Sequence, residues 1–440
     1  MNTLTEKITA GEKLLTFVQA QQDTLAGNVL VRTIRQRGLE HFASQGLPQR
    51  KSEEYKYSPV GLLFKNDLPH PAVKPDSAFN KQELSALAIP GLDSHLITLI
   101  NGVYVAGLSD VSVEKGLAIS TLNETPESAG SVFASHFGKY ANTEADPFTA
   151  LNTAAFRDVL TITIAEKTTL SKPIQILNIV VSDTPALIHP RLLIHVGKQA
   201  SVQIIENYIY TSKSEEVVSN SLSEIVVGEG ARALFYKIQD NCTGLNLIST
   251  TQVLQEKDSH FDTHTVTLSG KWIRNNLNIV PDAEHCETHL NGLFLLNGTQ
   301  HVDNHTLVDH RKPNCESNQL YRGILSDKST GVFNGKIYVR PDAQKTNAYQ
   351  SSKNMLLSDE ATMNTKPQLE IYADDVKCSH GSSTGQIDEE ALFYLRARGI
   401  STDSARALLM LAFAKDVVDT IRIDALRNEV EKLIEKRLTN

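Results

Sequence analysis

Cysteine is scarce in this sequence, and long hydrophobic runs are absent from it. The four cysteines, Cys242, Cys286, Cys315 and Cys378, are spread over a chain of 440 residues. A small secreted domain needs a denser framework of disulfides, so we expect reduced thiols and a cytoplasmic protein. The first residues lack the apolar core of a secretory signal, and no later run has the length of a membrane-spanning helix. A transport permease is therefore not expected.

Basic residues are neither dominant nor clustered. Lysine and arginine number 43 against 51 aspartates and glutamates, which gives a formal net charge of −8. This balance argues against nucleic-acid binding. Apolar residues make up 40% of the chain and charged residues 21%, so the chain is expected to fold. Its length exceeds that of one compact core unless the middle is a repeat structure.

Recognisable catalytic motifs are also missing. Residues 228–233 (GEGARA) resemble a dinucleotide-binding loop, but strand-like residues 234–238 follow where a helix is required. Residues 381–386 (GSSTGQ) resemble a phosphate loop, but no lysine follows the second glycine. No Gly-x-Ser-x-Gly nucleophile elbow is present. We therefore expect a protein that is not an enzyme, has no catalytic residues and does not bind ATP by itself.

One enzymatic alternative is an extracellular-type, carbohydrate-active β-helix enzyme. Such an enzyme needs a pair of carboxylates, which a β-helix would have to supply from adjacent coils. Aspartate and glutamate are numerous here but form no recognisable pair, and the export signal that such an enzyme would need is lacking. The sequence therefore disfavours this alternative.

Composition and periodicity divide the chain into three regions. Residues 1–92 are predicted to form an N-terminal helical domain with a proline-rich connector at 69–75. Residues 93–380 are predicted to form a β core, because short apolar runs of strand length recur between turn residues. Residues 381–440 are predicted to form a C-terminal helical domain that caps the exposed strand edges of the last coil.

Apolar stripes predict the helices of the two outer regions. In the first region, one stripe contains Leu14, Phe17 and Val18, and a second ends at Gly46. In the last region, we expect three helices. The first spans 389–398, the second begins after the candidate caps Ser401 and Asp403, and the third spans 417–438. The apolar stripe of the middle helix is predicted to contain Ala405, Leu408, Leu409, Ala412 and Phe413.

Alternation of period two predicts strands in the middle region. Leu160, Ile162 and Ile164 alternate with threonines, and residues 97–105 are predicted to form a hairpin around Asn101-Gly102. The only helix expected to interrupt the region is a possible one at 127–140. The fold class is therefore mainly β, and an alternating βαβ arrangement is not expected.

An internal repeat narrows the choice among β folds. Residues 195–204 (HVGKQASVQI) match residues 226–235 (VVGEGARALF) at an offset of 31 residues. A period of this size is typical of stacked solenoid coils, and a region of this length would make about ten of them. Two aligned segments leave a β-sandwich open on these grounds.

The pair Cys378 and His380 is the most informative local feature. Residues i and i+2 of an extended segment point to the same face, so the thiol and the imidazole could bind one metal ion together. Two ligands do not complete a closed site, which needs four. The alternative is a buried cysteine that packs as a small apolar residue beside a hydrogen-bonded histidine.

Seven metal-binding side chains also lie close together in sequence. They are His285, Cys286, His289, His301, His305, His310 and Cys315. In a solenoid, residues this far apart lie on different coils, so we expect polar ladders or a partner surface more than a metal site. His310 and Cys315 are the weaker ligand candidates of the chain.

Several ordered motifs resemble the SufB/SufD family, whose members are subunits of the SUF iron–sulfur cluster assembly scaffold. The matching segments are 46–57 (GLPQRKSEEYKY), 304–310 (NHTLVDH), 333–335 (FNG), 367–381 (PQLEIYADDVKCSHG) and 393–400 (FYLRARGI). Ser379 and Gly381 stand where the SufB branch has acidic residues, which favours the SufD branch. Ser382-Ser383 departs from the usual Ala-Thr, a change that leaves the Cys-Ser-His motif intact.

The resemblance implies a right-handed parallel β-helix core flanked by N-terminal and C-terminal helical domains. It implies pairing with SufB, and binding of the ATPase SufC through C-terminal helices that include Phe393, Tyr394, Arg398, Leu408 and Phe413. It also implies that His380, with Cys378 as a ligand or a structural residue, binds transient iron or a nascent cluster at the SufB interface. No cofactor is expected to be stably bound by the isolated chain, ATP would act only through SufC, and a homodimer could replace the SufB pairing.

Overall fold

A computed structural model describes residues 9–49, 51–70, 79–124 and 131–439. The helices are α1 (Ala10–Gln21), α2 (Val29–Gln45), α3 (Lys81–Leu87), α4 (Val132–His136), α5 (Pro147–Ala155), α6 (Glu389–Ala397), α7 (Thr402–Val418) and α8 (Asp424–Thr439). The strands are β1 (His95–Ile100), β2 (Val103–Tyr104), β3 (Leu117–Ser120), β4 (Leu160–Ile164), β5 (Ile174–Val180), β6 (Ala186–Ile188), β7 (Arg191–Val196), β8 (Ser201–Tyr210), β9 (Val217–Val227), β10 (Arg232–Gln239), β11 (Asn246–Gln255), β12 (His260–Thr267), β13 (Trp272–Pro281), β14 (Glu287–Leu296), β15 (His301–His310), β16 (Glu316–Leu325), β17 (Thr330–Val339), β18 (Asn347–Leu356), β19 (Thr362–Ile371) and β20 (Lys377–Gly385).

The strands form two long sheets that face each other. Sheet A has the order β2-β1-β5-β8-β10-β12-β14-β16-β18-β20, and sheet B has the order β19-β17-β15-β13-β11-β9-β7-β4-β3, with β6 paired to β9. From β7 and β8 onward, successive strands alternate between the sheets and pair in parallel with the strand two places earlier. This is a parallel β-solenoid of about eight turns, so the predicted mainly β solenoid is confirmed.

The internal repeat corresponds to stacking between neighbouring coils. In sheet A, Val202 pairs with Ala233 and Ile204 with Phe235, and all four side chains lie in the apolar interior. The prediction of about ten coils was wrong, because much of the stretch from β2 to β4 forms short helices and irregular segments instead of coils.

The turns before the sheet A strands from β8 to β18 share a recurring backbone conformation. Gln199, Asp258, Asn314 and Lys345 each lie two residues before the start of such a strand and have φ between 57° and 61°, and Gly230 has φ 65° at the matching position. His285, with φ 60°, belongs to the same row. Asparagine, aspartate and glycine tolerate this left-handed region best.

Local signals account for the N-terminal helices. Thr9 caps α1 by accepting a hydrogen bond from the backbone N–H of Glu12, whose carboxylate accepts one from Thr9 N–H in return. Leu14 and Val18 are buried as the stripe predicts, and α2 ends at Gly46 with φ 63°. The predicted connector lies largely within 71–78, outside the described residues.

The predicted β hairpin is confirmed. Strands β1 and β2 pair antiparallel with Ile100 opposite Val103, and Asn101 and Gly102 have φ 50° and 79°. Two central residues with positive φ are the signature of a two-residue hairpin turn.

Helix α5 was not predicted from the sequence, although Asp146 is its N-cap and Pro147 is its first residue. Every residue of α5 is buried, and it packs tightly on α2: a Cβ on Gly38 would lie 2.8 Å from the backbone nitrogen of Ala154. Of the possible helix at 127–140, the structure has only α4; residues 127–130 are outside the described part of the chain.

The two helical regions cover opposite outer faces of the solenoid. Helices α1, α2 and α5 pack against sheet B, where Leu187, Val218 and Ile248 join their apolar cluster. Helices α7 and α8 pack against sheet A, where Tyr236 and Val266 do the same. In the described part of the chain, no helix combines the length and the apolar character needed to cross a bilayer.

The C-terminal helices differ from the prediction in three ways. They cover the side of the solenoid and do not cap its last coil, because their apolar face matches the outer face of sheet A. The third helix begins at Asp424 instead of 417, and Val417 is buried at the end of α7. Helix α7 buries Met410 and Ala414 while Leu408 and Ala412 are exposed, so the predicted stripe was only partly right. Ser401 is its cap.

Candidate functional site

The last coil of the solenoid is open. Strands β19 and β20 are the terminal strands of their sheets, so within the described residues each is paired along one edge only. Most side chains of β20 are exposed, as are the neighbouring aromatic residues Tyr349 and Tyr372. Strand β20 continues past residue 380 to Gly385 because it pairs with β18 along its whole length. Unpaired backbone groups and aromatic side chains together make this end a surface suited to pairing with another chain.

Cys378 lies on β20 opposite Ala348 of β18. Its half-buried side chain packs with an apolar cluster at this end of the solenoid that includes Ile337, Val339 and Ala348. Burial raises the pKa of the Cys378 thiol, and a hydrogen bond involving the Ala348 backbone only partly offsets that rise. The thiol is therefore protonated at neutral pH and must lose a proton to bind iron.

His380 lies two residues further along β20, opposite Gln350. Gln350 is buried inside the solenoid, and its amide nitrogen donates a hydrogen bond to Gln319 at 3.1 Å. Gln319 in turn accepts one from Thr306 of the facing sheet at 2.7 Å. His380 thus continues an interior row of polar side chains, but it is exposed because no further coil covers it in the described structure.

Cys378 and His380 therefore occupy the same face of the terminal strand, where they offer one sulfur and one nitrogen ligand. Thiolate and imidazole both suit iron. In the described chain, this face has no further metal-binding side chain grouped with the pair. The remaining ligands of an iron or cluster site would have to come from another molecule, because two ligands do not close a site.

The structure divides the seven side chains of the region 285–315 among several places and brings only some of them together, such as the neighbouring thiols of Cys286 and Cys315. Cys286 and Cys315 are buried at equivalent positions before β14 and β16, and each thiol lies 3.2 Å from the carbonyl oxygen of Ala283. His310 is buried in the interior, 2.9 Å from the hydroxyl of Ser317, and desolvation lowers its pKa to about 4. None of these residues is grouped with His380.

His301 and His305 instead contact the N-terminal region on the outer face of sheet B. His301 Nε2 lies 2.8 Å from Ser58 Oγ, and His305 Nδ1 lies 3.4 Å from Glu54. Asp303, between them, lies 2.8 Å from Arg274. The segments 46–57 and 304–310, which carry the family resemblance, thus meet where the N-terminal region docks on the solenoid.

His289 belongs to another group of side chains, which the sequence did not predict. It lies beside His260, Asp262 and Glu287 on the outer face of sheet A. The register of β12 and β14 brings these residues together, with His260 opposite Glu287 and Asp262 opposite His289. The paired residues of this group are 27 residues apart in the sequence. The repeat visible in the sequence has an offset of 31 residues, so it does not predict that they meet.

The predicted partner surface on the C-terminal helices is largely exposed. Phe393 is 73% exposed and Tyr394 57%, and Arg398 lies 5.0 Å from the centre of the Tyr394 ring. Leu408 is also exposed. Phe413 differs, because it packs toward the solenoid with Arg322 5.7 Å from its ring.

Fold and site define a class of protein: a two-sheeted β-solenoid with a cysteine and a histidine side by side on the strand at its open end. Two family models match the chain. The SufBD core domain of SUF system FeS cluster assembly matches residues 179–413, and the SufBD N-terminal region matches residues 9–176. The chain belongs to the SufBD family of iron–sulfur cluster assembly proteins.

Individual relatives match over nearly the whole chain. An iron-sulfur cluster assembly SufBD family protein of Synechocystis sp. is 31% identical over 95% of this chain and 93% of its own length. The iron-sulfur cluster assembly protein SufD of Escherichia coli is 29% identical over 92% of both chains. The chloroplastic protein ABCI7 of Arabidopsis thaliana is 27% identical over 96% of this chain and 90% of its own.

Proposed function

We propose that this chain is a non-catalytic subunit of a cytoplasmic iron–sulfur assembly scaffold that completes its site with a SufB-type partner. The observation that carries the proposal is the position of Cys378 and His380 on one face of an open terminal strand. Iron or a nascent cluster is the cargo of this site and not a resident cofactor. The names of the relatives, which describe iron–sulfur cluster assembly proteins, support the same reading.

An incomplete site suits a scaffold, because a scaffold has to release what it assembles. A closed site with four protein ligands holds its metal as part of the folded structure. A site with two ligands from each of two chains opens when the chains separate. The raised pKa of Cys378 adds to this lability, since its thiolate forms only when metal displaces the proton.

The partner is proposed to pair edge to edge with the last coil. Strands β19 and β20 offer unpaired backbone groups, and Ile371 and Tyr372 supply exposed apolar area beside them. Pairing would bury these groups and bring the partner's ligands next to His380. A second copy of this chain could occupy the same edge when the partner is absent.

An ATPase of the SufC type is proposed to bind the exposed side of the C-terminal helices. Phe393 and Tyr394 form an aromatic patch with the cation Arg398, a combination common at the centre of protein interfaces. The opposite side of these helices is fixed to sheet A, in part by the ion pair of Arg322 with Asp416 at 2.8 Å. ATP-driven movement of the helices could thereby reach the solenoid and bias the partner interface.

The test is anaerobic co-purification with SufB and SufC, followed by assay of iron and acid-labile sulfide after reconstitution. His380→Ala is expected to leave the complex intact and to lower its cluster content. Ser379→Ala is the matched control, since Ser379 lies on the same strand and faces the other way. Equal iron and sulfide in the wild type and in His380→Ala would remove the ligand role, and failure of the wild-type complex to form would remove the pairing.

A further inference from the structure

A second cluster of metal-binding side chains lies on the outer face of sheet A. It contains His260 and Asp262 of β12 and Glu287 and His289 of β14. Strand β14 is separated from β20 by β16 and β18, and the cluster faces away from the interior row that ends at His380. It is therefore independent of the site at the open end.

Parallel pairing brings the four side chains together without help from any loop. His260 pairs with Glu287 and Asp262 with His289, and residues of alternate position share one face. The four side chains make a closed ring, in which each imidazole has a carboxylate on either side. Exposure of the side chains rises from 4% at Asp262 to 49% at Glu287, so the ring is open to solvent on the Glu287 side.

Asp262 engages one nitrogen of each imidazole. Its Oδ1 lies 2.7 Å from His289 Nδ1 in a hydrogen bond, and 2.8 Å from His260 Nε2 in a close contact that lacks hydrogen-bond alignment. Its other oxygen lies 2.9 Å from Arg422. A carboxylate behind the far nitrogen of a histidine is the usual device that orients an imidazole for metal binding.

The second nitrogen of each imidazole is directed at Glu287. His260 Nδ1 lies 3.0 Å from Glu287 Oε2, and His289 Nε2 lies 3.6 Å from Oε1. One ligand atom from each of the three residues falls within 4.8 Å of the others. With the Nδ1 proton of His289 donated to Asp262, the neutral ring presents its Nε2 lone pair toward Glu287. A cation placed among the three groups would be coordinated by both imidazoles and by the carboxylate of Glu287.

We propose that His260, His289 and Glu287 bind a divalent first-row transition metal ion, with Asp262 as the positioning residue. Two imidazole nitrogens and one carboxylate form the ligand set of open zinc and iron(II) sites. Metal–ligand bonds of about 2.0–2.2 Å require the three ligand atoms to surround one point, and the half-exposed side chain of Glu287 can adjust its position to meet the two imidazoles. The remaining coordination positions face solvent.

The site also adjoins the docked C-terminal helices. Arg422, which contacts Asp262, lies in the turn between α7 and α8, and Thr420 of the same turn lies 2.8 Å from His264 Nε2. Metal binding would fix Asp262 in place and so strengthen the attachment of this turn to sheet A. A bound ion is therefore expected to raise the thermal stability of the whole chain as well as its metal content.

The experiment uses the full chain with Cys378→Ser and His380→Ala, so that the open end contributes no ligands. Zn(II) binding is measured by equilibrium dialysis with elemental analysis, and Co(II) is added to record its ligand-field spectrum. We expect one ion per chain and a Co(II) spectrum of nitrogen and oxygen ligands. Glu287→Gln and His289→Ala are expected to weaken binding, and Asp262→Asn to raise the Kd by about 10–100-fold.

His285→Asn is the matched control. His285 is an exposed histidine in the same coil, and asparagine is the residue that the equivalent turn position carries at Asn314. Its binding should equal that of the parent chain. The proposal is overturned if neither Zn(II) nor Co(II) binds stoichiometrically, or if the ion is retained unchanged in both Glu287→Gln and His289→Ala while circular dichroism shows that each variant is folded.

Discussion

The guanidinium of Arg191 lies 2.5 Å from the carboxylate of Glu224, and neither side chain is exposed to solvent. The same carboxylate accepts hydrogen bonds from the backbone N–H groups of Gly138, Tyr140 and Ala141, at 2.8, 2.9 and 3.1 Å. One buried side chain of sheet B therefore holds the segment that follows α4 on the solenoid, and it also forms an ion pair with Arg191.

Glu224→Gln should destabilise the protein strongly. It leaves Arg191 buried without its counter-charge, a change that typically costs about 3–5 kcal/mol of unfolding free energy. Urea unfolding followed by circular dichroism measures the loss. Glu229→Gln, which breaks an exposed pair with Lys198, is the control and should leave the midpoint close to that of the wild type. Equal midpoints for both variants would contradict the prediction.

Acid should destabilise the protein in part through His310. Desolvation lowers its pKa in the folded chain from 6.5 to about 4. Between these values the unfolded chain binds a proton that the folded chain does not, so stability falls as the pH drops from 6.5 toward 4. The slope from this group is at most about 1.4 kcal/mol per pH unit.

His310→Gln removes that titration while offering Ser317 an amide partner. The free energy of unfolding of this variant should fall less steeply than that of the wild type as the pH drops from 6.5 to 4. His285→Asn, which alters an exposed turn residue, serves for comparison and should retain the wild-type slope. Parallel curves for the wild type and His310→Gln would show that His310 is not the group responsible.

Cys378 should be the first cysteine to react with a thiol reagent, because the other three are fully buried. Burial raises the pKa of its thiol, so alkylation at neutral pH should be slower than that of a free cysteine and should accelerate as the pH rises. Peptide mass spectrometry gives the rate at each cysteine. Binding of a SufB-type partner should protect Cys378, and unchanged labelling in the complex would argue against the proposed interface.

Two neighbouring residues of α6 should separate partner binding from folding. Phe393 is 73% exposed, whereas Leu392 beside it is 6% exposed and packs in the cluster with sheet A. Phe393→Ala should leave stability unchanged and weaken capture of the SufC-type ATPase. Leu392→Ala should lower the free energy of unfolding by about 2–5 kcal/mol, the usual cost of such a cavity. Normal ATPase capture by Phe393→Ala would contradict the assigned surface.

Features that depend on a few adjacent residues were predictable from the sequence. The Asn101-Gly102 turn and the end of α2 at Gly46 follow from the backbone freedom of those residues. Alternation along β4 marked a strand whose apolar residues are buried. The repeat between 195–204 and 226–235 predicted the register of neighbouring coils, since stacked coils bury similar side chains at matching positions.

Features that depend on coil length were not predictable. His285, His289 and His310 look like one cluster in sequence, but they occupy a turn with positive φ, the outer face of sheet A and the interior. Conversely, His260 and Glu287 lie far apart in sequence and pair directly in the sheet. Coil length varies along the solenoid, so only the actual register determines which distant side chains meet.

The sequence by itself determined the repeat character of the core, the helical nature of both ends and the motif at Cys378 and His380. Only the tertiary structure decided that α7 and α8 cover the side of the solenoid and leave β20 open. The reason is physical: propensity and periodicity act within an element, whereas the choice of packing surface depends on how well two distant apolar faces fit. That choice exposes His380 at the end of the last coil.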